Sequence, residues 1–311
     1  MSVQLALPSK GRLKEQVEAW LSDCGLPVSA GGRAYRATLP AMAEIEVRLL
    51  PAGEIADALA AGEVQLGVTG EDLLLEREAP LEGRVLPLIR PGFGRAELVV
   101  AAPAAWLDVE TVGDLEAVAH QLLLRTGRRL RVATKYAVQT RRFFARHGIV
   151  DYRIVDSAGA TEGAPAAGQA EVVVDITTTG ATLEANHLRR LADGTILRSE
   201  AMLAASLRAD WPEASLATSR RLFGVLEARA RAKRTATLVW PAEQDAKARA
   251  ALAVFDGDFR ASGLLVRAGE LFGAAAALAE AGVGPVTAVR PEYVFDARSE
   301  AAEALAGSVS G

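Results

Sequence analysis

Asp175 stands near the end of a β-branched run, Val172-Val173-Val174-Asp175-Ile176, and Thr177-Thr178-Thr179-Gly180-Ala181-Thr182 follows directly. A valine-rich strand of this kind is at home in a parallel sheet buried on both faces. An acid at its C-terminal end sits where open α/β sheets bind ligands. The turn offers backbone N–H groups, four threonine hydroxyls and a helix start near Leu183, a set of donors that suits a phosphate. An ordinary strand–turn–helix with threonine caps uses the same residue types, so this stretch decides nothing by itself.

Other stretches carry charge in similar settings. Lys10-Gly11-Arg12 forms a turn after the apolar segment 3–7, and the glycine-flanked loop 31–36 presents Arg33 and Arg36. The apolar segment 64–68 runs into Thr69-Gly70-Glu71-Asp72, and 130–133 runs into Thr134-Lys135-Tyr136. The small-residue turn 157–165 carries one carboxylate, Glu162, near a neighbouring strand end. Strand, basic turn and helix start together make a potential anion site. Solvated side chains on loops and helix faces account for each stretch equally well when it is taken alone.

The elements that must position these groups alternate between β and α patterns, which argues for a mainly parallel α/β sheet. Helical spacing marks 13–24, stopped by Gly25, then 55–61, then 109–124 with Asp108 as cap, then 138–147. Residues 87–94, with two prolines and two glycines, read as a crossover into a second lobe, and a strand near Thr195-Ile196-Leu197 follows the threonine turn. Residues 216–233 form a long arginine-rich helix, a connector or an oligomer surface. From Thr235 a small α+β unit follows, with strands 235–240, 263–267 and 286–289 and helices 245–255 and 271–281, a truncated ferredoxin-like order. That unit has no clustered polar turn motif, so it reads as a binding or assembly domain. The last dozen residues are small and polar and read as a frayed tail.

Composition narrows the function classes. The 311 residues are 50% hydrophobic and 24% charged, with a net charge of −4. That balance fits a soluble globular protein and gives no overall basicity for nucleic acid. One cysteine, Cys24, leaves no intramolecular disulfide and no cysteine-based zinc cage, as expected of a cytoplasmic protein. His120, His147 and His187 lie far apart, which argues against a histidine metal cluster. The N-terminus lacks the pattern of a signal peptide, and no run approaches the length of a membrane span.

Five motifs together say more than any one of them. Leu7-Pro8-Ser9-Lys10-Gly11-Arg12-Leu13, Gly67-Val68-Thr69-Gly70-Glu71-Asp72-Leu73, Gly92-Phe93-Gly94, Arg131-Val132-Ala133-Thr134-Lys135-Tyr136 and the stretch 175–186 occur in this order and spacing. The chain resembles the ATP phosphoribosyltransferase family over about residues 3–207. The resemblance implies a two-lobed catalytic core like the type II periplasmic binding proteins. Residues 1–93 and 180–215 would form lobe I and 94–179 lobe II, with the helical connector 216–234 and the C-terminal domain 235–300 beyond. It also implies transfer of the phosphoribosyl group of phosphoribosyl pyrophosphate to N1 of the adenine of ATP, with Mg²⁺, as the first step of histidine biosynthesis.

Carried onto this sequence, the family's phosphoribosyl-binding stretch gives Asp175 to the ribose hydroxyls. It gives Thr177, Thr178, Thr179, Gly180, Ala181 and Thr182 to the 5′-phosphate. Lys10, Arg12, Arg33 and Arg36 are candidates for pyrophosphate and triphosphate charge. Thr69, Gly70, Asp72, Phe93, Lys135 and Glu162 are candidates on the ATP side. Lys10, Arg12, Asp175 and Glu162 form the expected catalytic set; metal ligands are not assigned. Two departures stand out. The arginine that many members carry before the Thr-Gly strand is replaced around Pro51-Ala52-Gly53-Glu54-Ile55-Ala56. The core also looks like the family's short type, which works with a histidyl-tRNA-synthetase-like regulatory subunit, yet a C-terminal extension follows Lys233 as in the long, histidine-binding type. Histidine as inhibitor and a homo-oligomer are expected on the same ground. A two-lobed solute-binding protein and an inactive regulatory paralogue are the rival readings, since fold alone does not fix function.

Overall fold

The computed structural model describes residues 2–30, 35–77, 81–157 and 159–309. Arg33, one of the expected cations, lies outside them. The strands of the described residues form three sheets.

The first sheet is built from β1 (Val3–Pro8), β2 (Ser29–Ala30), β3 (Arg36–Thr38), β4 (Ile45–Leu50), β5 (Leu66–Gly70), β6 (Val85–Ile89) and β12 (Ala201–Ser206), in the order β2-β3-β4-β1-β5-β12-β6. Its centre, β4-β1-β5, is parallel, with Leu5 opposite both Val47 and Leu66. The helices α1 (Gly11–Asp23), α2 (Ala52–Ala61) and α3 (Glu71–Leu75) therefore all start from the C-terminal edge of that centre.

The second sheet contains β7 (Ala96–Pro103), β8 (Leu130–Thr134), β9 (Tyr152–Asp156), β10 (Val172–Thr177) and β11 (Leu188–Ser199), in the order β11-β7-β10-β8-β9. β10, β8 and β9 are parallel; β7 runs against β10 and β11. Val172, Val173 and Val174 are fully buried, as a strand covered on both faces requires. The main helices here are α4 (Val112–Thr126) and α5 (Ala137–Arg146), and α6 (Ala181–Ala185) follows the threonine turn. α4 begins three residues later than its apolar pattern suggests. Thr111, not Asp108, is its cap, in a reciprocal capping box with Asp114.

Two connections join the lobes, 90–95 and the single step Ser199 to Ala201. The Ala201 N–H donates to the Phe93 carbonyl at 3.0 Å. Gly94 (φ 69°) sits where a Cβ would come within 3.0 Å of Ala201, so the two connecting strands can pass only with glycine there. The return point differs from expectation. Residues 180–199 stay with the second sheet, because β11 pairs with β7 over nearly its whole length, and the chain re-enters the first sheet only at β12.

α7 (Glu213–Lys233) leads out of the first lobe to a third sheet. Its strands β13 (Thr235–Val239), β14 (Gly257–Arg260), β15 (Gly263–Arg267) and β16 (Thr287–Val289) lie in the order β14-β15-β13-β16, all antiparallel. With α8 (Asp245–Ala251) and α9 (Leu271–Glu280) this is a complete βαββαβ ferredoxin-like unit, not the truncated one expected. The strand missing from the sequence reading is β14, whose Gly-Asp-Phe-Arg has no buried apolar alternation. The tail is not frayed either. α10 (Glu300–Val309) packs against α7 and β6, and Ala301, Ala302 and Leu305 are buried in the first lobe's core. Among the described residues no helix is long and apolar enough to cross a membrane.

Candidate active site

The parallel registers decide what faces the cleft. Val172 lies beside Val132 and Val173 beside Ala133, so two residues further on Asp175 is level with Lys135 at the C-terminal edge of the second sheet. β9 ends at Asp156 on the same edge, and the 3₁₀ turn Thr161–Gly163 after it carries Glu162. Ala160 enters that turn in the left-handed region (φ 47°), an unusual conformation for a residue with a side chain. Lys135 and Glu162 both act electrostatically on Asp175, the cation holding its carboxyl down and the acid pushing it up. Burial outweighs both, so the Asp175 carboxyl lies above the ordinary aspartate range. Its Oδ1 accepts the Ile176 N–H at 2.8 Å. At the far end of β10, Arg131 fixes the strand to β8 through Glu171 at 2.7 Å.

The threonine turn is preorganised. Thr177 Oγ1 accepts the Gly180 N–H at 2.9 Å, and Gly180 takes a positive φ of 84° that opens the way into α6. Thr178 and Thr179 are exposed. The turn lines a cavity of about 540 Å³ with Glu97, Glu184, His187 and Arg190. A second cavity, also about 540 Å³, meets it at Thr178 and is bounded by Arg90, Arg95, Arg198 and Glu200. Glu97 is the wall between them: it pairs across the strands with Thr177 and holds Arg190 at 2.5 Å and Arg198 at 2.9 Å.

On the first lobe, Lys10 is exposed at the N-cap of α1 and Arg12 is exposed in its first turn, where Gly11 takes φ 75°. The β1–β5 register puts this turn level with Glu71 and Asp72. Asp72 is 6% exposed, and it joins the lobes. Its carboxylate accepts the Tyr136 hydroxyl at 2.9 Å and the Ser199 hydroxyl at 2.8 Å, while its own N–H donates to Ser199 Oγ at 3.1 Å. Burial, and next the Asp72 charge, hold the Tyr136 phenol protonated far above its ordinary range. Tyr136 and Ser199 are site residues that the sequence reading missed; contacts spanning 64 and 127 residues leave no local signal.

Four expected positions turn out differently. Thr69 is fully buried and spends its hydroxyl on the Ala52 carbonyl at 2.7 Å, which anchors the start of α2. Gly70 is a steric requirement, since a Cβ would stand 2.3 Å from Asp72 Oδ1. Phe93 packs edge-on against Trp20, 6.0 Å between ring centres. Arg36 lies opposite Arg48 on β4 and lines a separate cavity with Gln4, Tyr35 and Glu46. Thr69 is thus a packing residue, Phe93 keeps part of its ring exposed beside Trp20, and Arg36 lines a cavity separate from the Asp175 turn.

Two sheets facing each other by their C-terminal edges, an acid and a threonine turn on one and a basic turn on the other, define a two-lobed α/β protein of the type II periplasmic-binding-protein kind. A family model described as HisG, ATP phosphoribosyltransferase, matches residues 51–222. An ATP phosphoribosyltransferase of Caulobacter vibrioides is 61% identical over 299 residues, covering 94% of this chain and 93% of that protein. One from Bradyrhizobium diazoefficiens is 47% identical over 304 residues, covering 94% of each. Among solved structures, a chain of the ATP phosphoribosyl transferase (HisG:HisZ) complex from Thermotoga maritima superposes with a TM-score of 0.53 at 25% identity. It covers 72% of this chain and 96% of its own length. The chain belongs to the ATP phosphoribosyltransferase family, whose reaction is the first step of histidine biosynthesis.

Proposed function

We propose the following division of labour for joining phosphoribosyl pyrophosphate to N1 of the adenine of ATP. Asp175 accepts hydrogen bonds from the ribose hydroxyls. The Thr177–Thr182 turn holds the 5′-phosphate through its N–H and hydroxyl donors. As adenine N1 closes on ribose C1, the bond to pyrophosphate breaks and the sugar passes through a cation-like state. Lys10 and Arg12 meet the departing pyrophosphate, and ionised Asp175 with Glu162 favours the positive sugar. Catalysis of this type rests on positioning and charge placement, not on a nucleophilic side chain. Asp72 and Tyr136 form the floor on the ATP side, and Lys135 stands between the two halves. The observation that carries this reading is the half-buried Asp175, level with Lys135 and followed directly by the threonine turn.

Mg²⁺ is proposed to enter with the substrates, on their pyrophosphate and triphosphate oxygens. Among the described residues no three His, Cys, Asp or Glu side chains converge to hold a resident ion. Histidine is proposed as inhibitor, acting through the ferredoxin-like unit of a cytoplasmic homo-oligomer. That unit lies beyond residues 51–222, the part matched by the family model; the Thermotoga protein itself is found in a HisG:HisZ complex. A histidyl-tRNA-synthetase-like subunit is the competing arrangement. Assays of the purified chain with ATP, phosphoribosyl pyrophosphate and Mg²⁺, with and without histidine, separate the two. Inhibition of the chain alone supports the intramolecular reading. Turnover that appears only on adding such a subunit rejects it.

A further inference from the structure

α5 starts without a cap of its own, since Tyr136 makes no side-chain hydrogen bond to it. A helix leaves its first N–H groups unsatisfied unless something supplies acceptors. Here they come from the other lobe. Glu76, at the C-terminal end of α3, accepts the Val138 N–H at 2.8 Å and the Gln139 N–H at 3.1 Å. The contact is reciprocal, because the Gln139 side-chain amide donates to the Leu75 carbonyl. Leu73, on the same short helix, packs against the cores of both lobes.

What this junction anchors is the turn Thr134-Lys135-Tyr136. The turn is short and stiff: the Tyr136 N–H donates to Thr134 Oγ1 at 2.9 Å, and Thr140 returns its hydroxyl to the Tyr136 carbonyl at 2.6 Å. Turn and helix start therefore move as one body, and where the helix start sits decides where Lys135 stands beside Asp175. We infer that Glu76 is a positioning residue for the transfer, capping α5 across the lobes so that Lys135 faces the phosphoribosyl half-site when the lobes are together. A carboxylate suits the task because an acid at a helix N-terminus is favoured by the helix dipole. Burial is the main influence on Glu76, pushing its carboxyl up, opposed first by the Val138 and Gln139 N–H groups and then by Arg141 and Arg142 of α5.

The test is steady-state kinetics on the full chain, wild type beside Glu76→Ala, Glu76→Gln and Gln139→Ala, with thermal unfolding of each. Glu76→Ala is expected to lower kcat/KM for phosphoribosyl pyrophosphate about tenfold, the size of one cap's contribution. Glu76→Gln keeps an acceptor and should recover most of that loss. Gln139→Ala should fall between them and add little on top of Glu76→Ala, because both act on one contact. A residue that only stabilises the fold would depress both substrates' parameters in step with the melting temperature. Activity of folded Glu76→Ala within about twofold of wild type, or equal impairment by Gln and Ala, overturns the inference. Should Glu76→Ala not fold, an unchanged kcat/KM in Gln139→Ala overturns it equally.

Discussion

Replacing Asp175 by Asn tests the centre of the site, because it removes a charge while keeping the shape. In the structure the carboxyl is half-buried, lies beside Lys135 and Glu162, and accepts one backbone N–H. An Asn side chain can still accept that N–H, so β10 and the threonine turn should keep their conformation. What is lost is the ionised acceptor for the ribose hydroxyls. Hydrogen bonds to a charged group contribute about 1.5–3 kcal/mol, which is about 10- to 150-fold in KM or Kd for phosphoribosyl pyrophosphate. The sign for stability runs the other way. The folded carboxyl lies above its ordinary value, so the folded state disfavours the ion, and the protein loses stability as pH rises through the unfolded value of 3.8 toward the folded one. Removing the charge relieves that cost, and Asp175→Asn should melt higher than wild type at neutral pH. The assays are calorimetric titration with phosphoribosyl pyrophosphate and thermal unfolding at pH 7. Unchanged affinity together with a lower melting temperature would refute both the ribose assignment and the account of the burial.

Other outcomes follow from the same geometry. Gly180→Ala forces a side chain into the left-handed region at φ 84° and should cost about 1–2 kcal/mol of stability while weakening phosphoribosyl pyrophosphate binding; an unaffected Kd argues against the phosphate turn. Leu305→Ala removes a side chain 1% exposed in the first lobe's core and should cost about 2–5 kcal/mol in chemical denaturation, with residual activity in the cold. Asp23 is held down to about 2 by hydrogen bonds from Arg229 and then Lys233. Its folded value is depressed, so this clasp contributes stability above pH 3.8 that disappears as pH falls through about 2; Asp23→Asn should flatten that acid limb. Cys24 is buried, and burial pushes its thiol up to about 11, so thiol reagents should label it only as fast as the clasp beside it opens. Excising 235–289 with a short linker should spare catalysis and abolish histidine inhibition. Truncation after Lys233 should instead unfold the first lobe, since it removes Ala301, Ala302 and Leu305. Comparing melting curves and turnover of the two deletions checks this.

The legible parts of the site are those written in consecutive residues. Three valines, an acid and a threonine–glycine turn state their own strand, edge and turn, and Lys10-Gly11-Arg12 and Thr134-Lys135 do likewise at other strand ends. Thr69 misleads because a hydroxyl at a strand end reads as a ligand group until the Ala52 carbonyl is seen to claim it. The network of Asp72 with Tyr136 and Ser199 belongs to the tertiary structure alone. Of β11 only the part near Thr195-Ile196-Leu197 is legible: the register shifts around Arg190, Thr195 and Leu197 break the alternation that would mark the whole strand. α10 hid behind composition, since alanine and serine bury little each but pack closely when a helix lies along another.

The return of α10 also bears on how the polypeptide acquires its shape during synthesis. The first lobe draws its core from residues near both ends of the chain, Val3 and Leu5 at one end and Ala301 and Leu305 at the other. The second lobe, whose sheet lies entirely within 96–199, has all its residues out of the ribosome long before that. Half of the cleft can thus fold while the ferredoxin-like unit is still being made. The half that carries Lys10 and Arg12 draws part of its core from α10, so the threonine turn can take shape before the first lobe's core is complete.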